Sequence, residues 1–125
     1  MKKILLAEDE MLLATVVQAT LEVNGYLVEH VSDGAAALGV LQTGPLPDLV
    51  LTDLMMPRMG GDELIARIRS SETTRHLPVI LMSAAARETV EQKNVAADLF
   101  VGKPFHARSL VRAVDDLLKG RTDGA

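Results

Sequence analysis

The sequence predicts a three-layer α/β sandwich, a parallel sheet with helices on both faces. Five short apolar runs with β bias are spread along the chain, stretches with helical apolar spacing lie between them, and the links are short. Strand–helix units repeated with short connections fold this way because each crossover carries its helix back over the sheet. At 125 residues and 48% hydrophobic content, the chain is one domain with enough apolar mass for a core. No internal repeat, linker or low-complexity segment interrupts it.

The first run, Ile4 to Ala7, stops at three acids, Glu8, Asp9 and Glu10. Leu13, Val16, Val17, Thr20 and Leu21 then recur at helical spacing. Asn24-Gly25 ends that helix, Gly25 being suited to the left-handed position after it. Tyr26 to Val31 reads as a second strand, and Glu29 within it suits a sheet edge. Ser32 or Asp33 can cap a helix over Ala35 to Leu41, closed by Thr43-Gly44-Pro45. Asp48, after Pro47, reads as a turn residue. Leu49 to Thr52 is a near-continuous apolar strand, the pattern of burial on both faces, and it runs straight into Asp53.

Leu-Met-Met, the breaker Pro57 and the pair Gly60-Gly61 follow Asp53. Asp62 and Glu63 then place negative charge on a first helical turn, where the dipole favours it, and Leu64, Ile65 and Ile68 form the apolar face. Pro78 to Met82 is the fourth strand, ending at Ser83. A helix is expected around Arg87 to Asn94, with Val90 and Val95 its only sizeable apolar residues. Leu99 to Val101 is a short fifth strand leading to Lys103-Pro104. Leu110, Val111, Val114, Leu117 and Leu118 mark the last helix. Gly120 is expected to end it, so that residues 1–120 form the domain and 121–125 a frayed tail.

A net charge of -4 argues against nucleic acid as a direct ligand, which needs a basic footprint. The absence of cysteine excludes disulfides and thiolate metal sites. Met1-Lys2-Lys3 and the apolar run behind them end at the acids, too soon for an export signal, and no run approaches membrane-spanning length. A soluble, cytoplasmic protein without a membrane partner is expected.

In an open α/β sheet, ligands bind outside the carboxyl ends of the strands. Parallel strands put Glu8-Asp9, Asp53, Ser83 and Lys103 on that one edge, whereas Ser32-Asp33 lies off to the side with its edge strand. Three crowded carboxylates raise one another's pKa unless a cation is present. Hard oxygen ligands with room for water suit Mg²⁺, and the lack of His or Cys there disfavours zinc or copper. A carboxylate can itself accept a phosphoryl group as an acyl phosphate, provided the charge is neutralised, here by a metal on one side and Lys103 on the other. Ser83 is placed to donate a hydrogen bond to the third phosphoryl oxygen.

With the acid pair Glu8-Asp9, the DLMMPxMGG stretch from Asp53, Ser83-Ala84 and Lys103-Pro104-Phe105 in this order, the chain resembles the receiver domain of two-component response regulators along essentially its whole length. It is similar to the stand-alone chemotaxis regulators. The resemblance implies a flavodoxin-like sheet of order 2-1-3-4-5 with five helices, phosphorylation of Asp53, and Mg²⁺ held by Glu8, Asp9, Asp53 and the Met55 carbonyl. It implies a switch in which phosphate draws in the Ser83 hydroxyl and the aromatic at Phe100 turns inward. Phe100 has no hydroxyl to hold it in solvent, so it is expected to favour the buried rotamer even without phosphate. The resemblance also implies a cis Lys103-Pro104 bond, a sensor histidine kinase or histidine phosphotransfer protein as donor, and no catalysis beyond the domain's own phosphorylation and dephosphorylation. Met55 and Ala85 occupy the two positions that tune phosphate loss, and neither can orient a water, so a long-lived phosphate is expected. Glu8 stands where Asp is more usual, an acidic variant that still reaches the site. The short stretch from Ser83 to Phe100, with its poor helix, implies an unusual output interface.

Other readings compete. Glu10 is expected to be a solvated helix start, Ser83 can also be an N-cap, and Phe105, Met55, Met56 and Met59 read as loop or packing residues. His30, His76 and His106 are too scattered for a metal site. An aspartyl-phosphate phosphatase needs an acid two residues after the nucleophile, where Met55 stands. An FMN carrier needs a phosphate-cradling loop and aromatics, against one Tyr, no Trp and an acidic first loop here. A receiver-like docking domain that takes no phosphate is the remaining alternative, as is a receiver fragment of a longer regulator or hybrid kinase.

Overall fold

The computed structural model describes residues 1–84 and 94–123. Its elements alternate as β1 (Lys3–Ala7), α1 (Met11–Val23), β2 (Leu27–Val31), α2 (Gly34–Thr43), β3 (Leu49–Asp53), α3 (Gly61–Ser70), β4 (Val79–Ser83), β5 (Leu99–Gly102) and α4 (Ala107–Asp123). All pairings are parallel and the sheet order is β2-β1-β3-β4-β5. This is the flavodoxin-like architecture expected, with four helices among the described residues. The helix expected over Arg87 to Asn94 lies, but for Asn94, outside the described residues.

Both faces of the sheet are covered. Leu5, Ala7, Val50, Val79 and Leu81 pack with Ala37 and Leu41 of α2 and Leu64, Ile65 and Ile68 of α3. Ile4, Leu6, Leu49, Leu51, Ile80 and Met82 pack on the other side with Ala14, Val17 and Leu21 of α1 and Leu110, Val114 and Leu118 of α4. Two-sided burial explains why the inner strands read as unbroken apolar runs. Full burial of one Leu or Ile side chain contributes about 1.5–3 kcal/mol, so these two clusters dominate stability. At the edge, β2 is only half-buried, and its Glu29 pairs with Lys3 at 3.0 Å.

Polar tethers fix the strand starts. Asp48 does more than turn the chain: its carboxylate accepts the Lys3 amide at 2.8 Å, and its own amide donates to the Lys3 carbonyl at 2.7 Å. Arg69 of α3 donates to the carbonyls of Ala96, Arg75 and Leu77 and to Asp98 Oδ2. The Val79 amide meets that same oxygen at 2.7 Å, which ties the start of β4 to the approach to β5. The Tyr26 hydroxyl donates to Asp115 of α4, and burial first, then this bond to a carboxylate, pushes the phenol's pKa up.

Helix ends follow the sequence with one exception. Asn24 and Gly25 close α1, Gly25 at a φ of 95°. Asp33 caps α2 through a 2.8 Å bond from the Ala36 amide. The last helix does not stop at Gly120 but runs on to Asp123. A glycine inside a helix costs about 1 kcal/mol relative to alanine but keeps its backbone hydrogen bond, so it weakens a helix without terminating it. Strand bounds move by one residue as well, so that Asp53 and Ser83 are the last residues of β3 and β4.

Asp33 supports one pH prediction. The Ala36 amide, then Arg58, hold its carboxyl below the ordinary carboxylate pKa despite its burial. A depressed pKa contributes stability that is present above the unfolded value of about 3.9 and is lost as pH falls through the folded one. Urea unfolding should therefore show wild type ahead of Asp33→Asn by a constant margin near neutrality, and that margin should shrink below about pH 4.

Candidate functional site

The carboxyl ends of β1, β3, β4 and β5 meet at one edge. Glu8 directly follows β1 and is fully buried, while its neighbour Asp9 is exposed. Parallel pairing holds this turn in place: the Glu8 amide donates to the Val31 carbonyl at 3.0 Å, and His30 Nε2 lies 2.8 Å from the Glu8 carbonyl. Asp53 is 7% exposed at the end of β3, and the Leu54 amide donates to its Oδ1 at 2.9 Å. Register aligns Asp53 with Met82 and Ser83 with Gly102, and this puts Ser83 and Lys103 beside the same site. The Lys103 amide donates to the Ser83 carbonyl at 2.8 Å, and Ser83 is 1% exposed. The Lys103-Pro104 bond is cis.

Lys103 Nζ is 3.1 Å from Glu8 Oε1 and 3.1 Å from Asp53 Oδ1. One ammonium thus bridges two carboxylates. Burial lowers its pKa, but the hydrogen bonds and charges of Asp53 and Glu8 outweigh that, and the net shift is upward. Burial likewise pushes the Glu8 carboxyl up. The Glu10 amide at 3.1 Å opposes this, repulsion from Asp53 reinforces it, and Lys103 opposes it again. Carboxylate oxygens of Glu8, Asp9 and Asp53 lie within 4.8 Å of one another. Three acids against one ammonium leave this edge short of positive charge. An all-oxygen donor set, one member of it exposed to water, fits a hard divalent cation that keeps part of its hydration. No other such group of metal-ligating side chains occurs among the described residues.

Glu8, Asp9, Asp53, Ser83 and Lys103 therefore come together as the strand ends predict. Met55 lies on the β3–α3 loop and is 71% exposed. Phe100 of β5 is half-buried against the cluster on the α2/α3 side of the sheet, and Phe105 packs on the opposite side, as a core residue should. Met56 and Met59 also pack against the core. Ala85 lies outside the described residues. Glu10 caps α1 by position but makes no side-chain cap bond. Two features escape a reading of the sequence: the His30 contact to the Glu8 carbonyl, and an ion pair between Arg58 and Asp33.

A family model described as the response regulator receiver domain matches residues 4–115. The phosphate regulon transcriptional regulatory protein PhoB of Rhizobium meliloti is 35% identical over 119 residues, which are 94% of this chain and 52% of that protein. Across eight curated relatives, transcriptional regulators and histidine kinases among them, the chain spans only 6% to 54% of the relative's length. Among solved structures, the signal receiver domain of a signal transduction histidine kinase from Syntrophus aciditrophicus is 34% identical, with a TM-score of 0.90 over 96% of this chain and 92% of that one. The receiver domain of a sensor histidine kinase from Pseudomonas aeruginosa, which has a magnesium ion coordinated in its active site cleft, is 28% identical with a TM-score of 0.88 over 94% of this chain and 98% of that one.

Proposed function

The chain belongs to the response regulator receiver domain family, and on that premise we propose that it is a phospho-acceptor switch whose acceptor is Asp53. One observation carries the proposal: Lys103 spans Glu8 and Asp53 at 3.1 Å each, beside a third acid and a buried serine. An Asp53 carboxylate oxygen attacks the phosphorus of a phosphohistidine on a sensor kinase or phosphotransfer protein. The new P–O bond forms as the P–N bond breaks, and the departing imidazole keeps that electron pair. Asp53 presents its carboxylate with Oδ1 already fixed by the Leu54 amide and Lys103, so attack falls to Oδ2. Mg²⁺ is the cofactor, held by Glu8, Asp9, Asp53 and the Met55 carbonyl, and it supplies charge neutralisation for the phosphoryl oxygens. An apolar cavity of about 340 Å³ is lined by Leu13, Ala84, Lys103, Pro104 and Phe105.

Once phosphate is in place, Ser83 donates to a phosphoryl oxygen and Phe100 completes its burial, biasing a two-state equilibrium toward the form that binds a downstream protein. Phe100 already packs in part against the cluster on the α2/α3 side. The domain works in the cytoplasm without a direct nucleic acid or membrane ligand. Among the described residues no helix is long and apolar enough to cross a membrane.

Intact mass after incubation with a small-molecule phosphodonor tests this reading. We expect a gain of one phosphoryl group that requires Mg²⁺ and is absent in Asp53→Asn. No gain in either protein would make this a docking domain whose acid cluster is scaffold. The same measurement followed in time should show Met55→Asn losing its phosphate faster than wild type. Equal rates would remove Met55 as the cause of a persistent phosphate.

A further inference from the structure

We infer that Arg58 and Asp33 form a positioning pair for the divalent cation, their ion pair holding the β3–α3 loop so that the Met55 carbonyl faces the carboxylates. The inference rests on the cation reading above. A backbone ligand is only as well placed as the loop that carries it, and this loop has few internal supports. The Gly61 amide closes it onto the Leu54 carbonyl at 2.8 Å, and the Met59 amide bonds the Pro57 carbonyl at 2.7 Å. Met56 and Met59 pack against the core cluster, and further polar ties to its tip come from the start of α2.

Two contacts make that link. The Gly34 amide donates to the Met59 carbonyl at 3.0 Å, in a junction so close that a Cβ on Gly34 would lie 2.5 Å from that oxygen. Beside it, Arg58 Nε donates to Asp33 Oδ2 at 2.8 Å, and Nη2 donates to the same oxygen. The Ala36 amide caps α2 through Oδ1, so the helix has a cap without the arginine. Arg58 nonetheless adopts a φ of 64°, a left-handed conformation that costs a long side chain free energy and persists only where surroundings impose it. Its side chain is 68% exposed while the Asp33 carboxylate is 4% exposed, so the arginine lies over an anchor sunk in the fold. What this pair sets is the loop tip, three residues from Met55. Groups that orient a ligand without touching the metal commonly change affinity by about 10–100-fold when removed.

Calorimetric titration of the whole protein with Mg²⁺ tests the inference, with Asp53→Asn as the control for site binding and urea unfolding run in parallel. Arg58→Ala and Asp33→Asn should each weaken Mg²⁺ binding about tenfold, at the low end of that range because one ligand of several is affected. The double variant should be no weaker than either single one, since both remove the same contact. Arg58→Lys should recover part of the loss. If Arg58→Ala binds Mg²⁺ as wild type does, the pair is a structural clamp only and the inference is wrong, whatever the urea curve shows. If wild type binds no more Mg²⁺ than Asp53→Asn, the cation reading itself falls and this inference with it.

Discussion

Lys103→Met is expected to lower stability by about 3 kcal/mol near neutral pH without a divalent cation, the lower end of what removing one partner of a buried ion pair costs. The lower end applies because the site is open to water at Asp9, whereas Glu8 is fully buried. Methionine fills the aliphatic volume, so the deficit reports charge and not packing. Without the ammonium, Glu8 and Asp53 face each other uncompensated, and Glu8 relieves this by holding its proton more tightly than it already does. A carboxyl whose folded pKa is raised contributes stability that is present below its unfolded value of about 4.3 and is lost as pH rises through the folded value. The deficit should therefore shrink as pH falls from 7 toward 4.5, in urea titrations at stepped pH. Mg²⁺ should bind the variant more tightly than wild type, because it no longer competes with a resident cation for the same two carboxylates. Equal stability at pH 7 would mean that Glu8 is already protonated in the wild-type fold.

How much of this was legible in the sequence depends on how local each feature is. Strand ends are local: an apolar run that stops at an acid, a serine or a lysine places that residue at the sheet edge once the strands are parallel. Glu8, Asp9, Asp53, Ser83 and Lys103 could therefore be gathered without coordinates. Asp33 was legible as one of two candidate caps, with Ser32, because capping needs only the next turn of helix. Its second partner was not, since Arg58 lies 25 positions away in a loop where nothing but its left-handed turn brings it round. His30 against the Glu8 carbonyl and Arg69 against Ala96 and Asp98 are hidden for the same reason: the partner is a backbone oxygen or a remote acid, and neither leaves a periodic trace. Gly120 misled in the opposite direction, because a glycine marks a helix end only where the chain also turns away.

Gly61 and Gly39 allow the same substitution to be tried with opposite expected signs. An alanine Cβ at Gly61 would lie 2.1 Å from the Asp53 carbonyl oxygen, 3.0 Å from its carbon and 3.1 Å from Leu54 Cα. All three are backbone atoms, so no rotamer can relieve the clash, and β3 or the first turn of α3 has to move. We expect Gly61→Ala to lose about 3 kcal/mol or more, the upper part of the range for overpacking. At Gly39, within α2, the same Cβ meets nothing within 4 Å. There the usual advantage of alanine over glycine in a helix should appear, a gain of about 0.5–1 kcal/mol. Urea unfolding of the two variants reads both signs directly. Because the atoms displaced at Gly61 belong to Asp53 and Leu54, whose amide fixes Asp53 Oδ1, the damage should reach the site as well as the fold. Folded Gly61→Ala should take up phosphoryl groups more slowly than wild type, while Gly39→Ala keeps the wild-type rate. A Gly61→Ala protein as stable and as reactive as wild type would mean that the contact between the end of β3 and the start of α3 yields easily, and that the glycine is not what sets the position of Asp53.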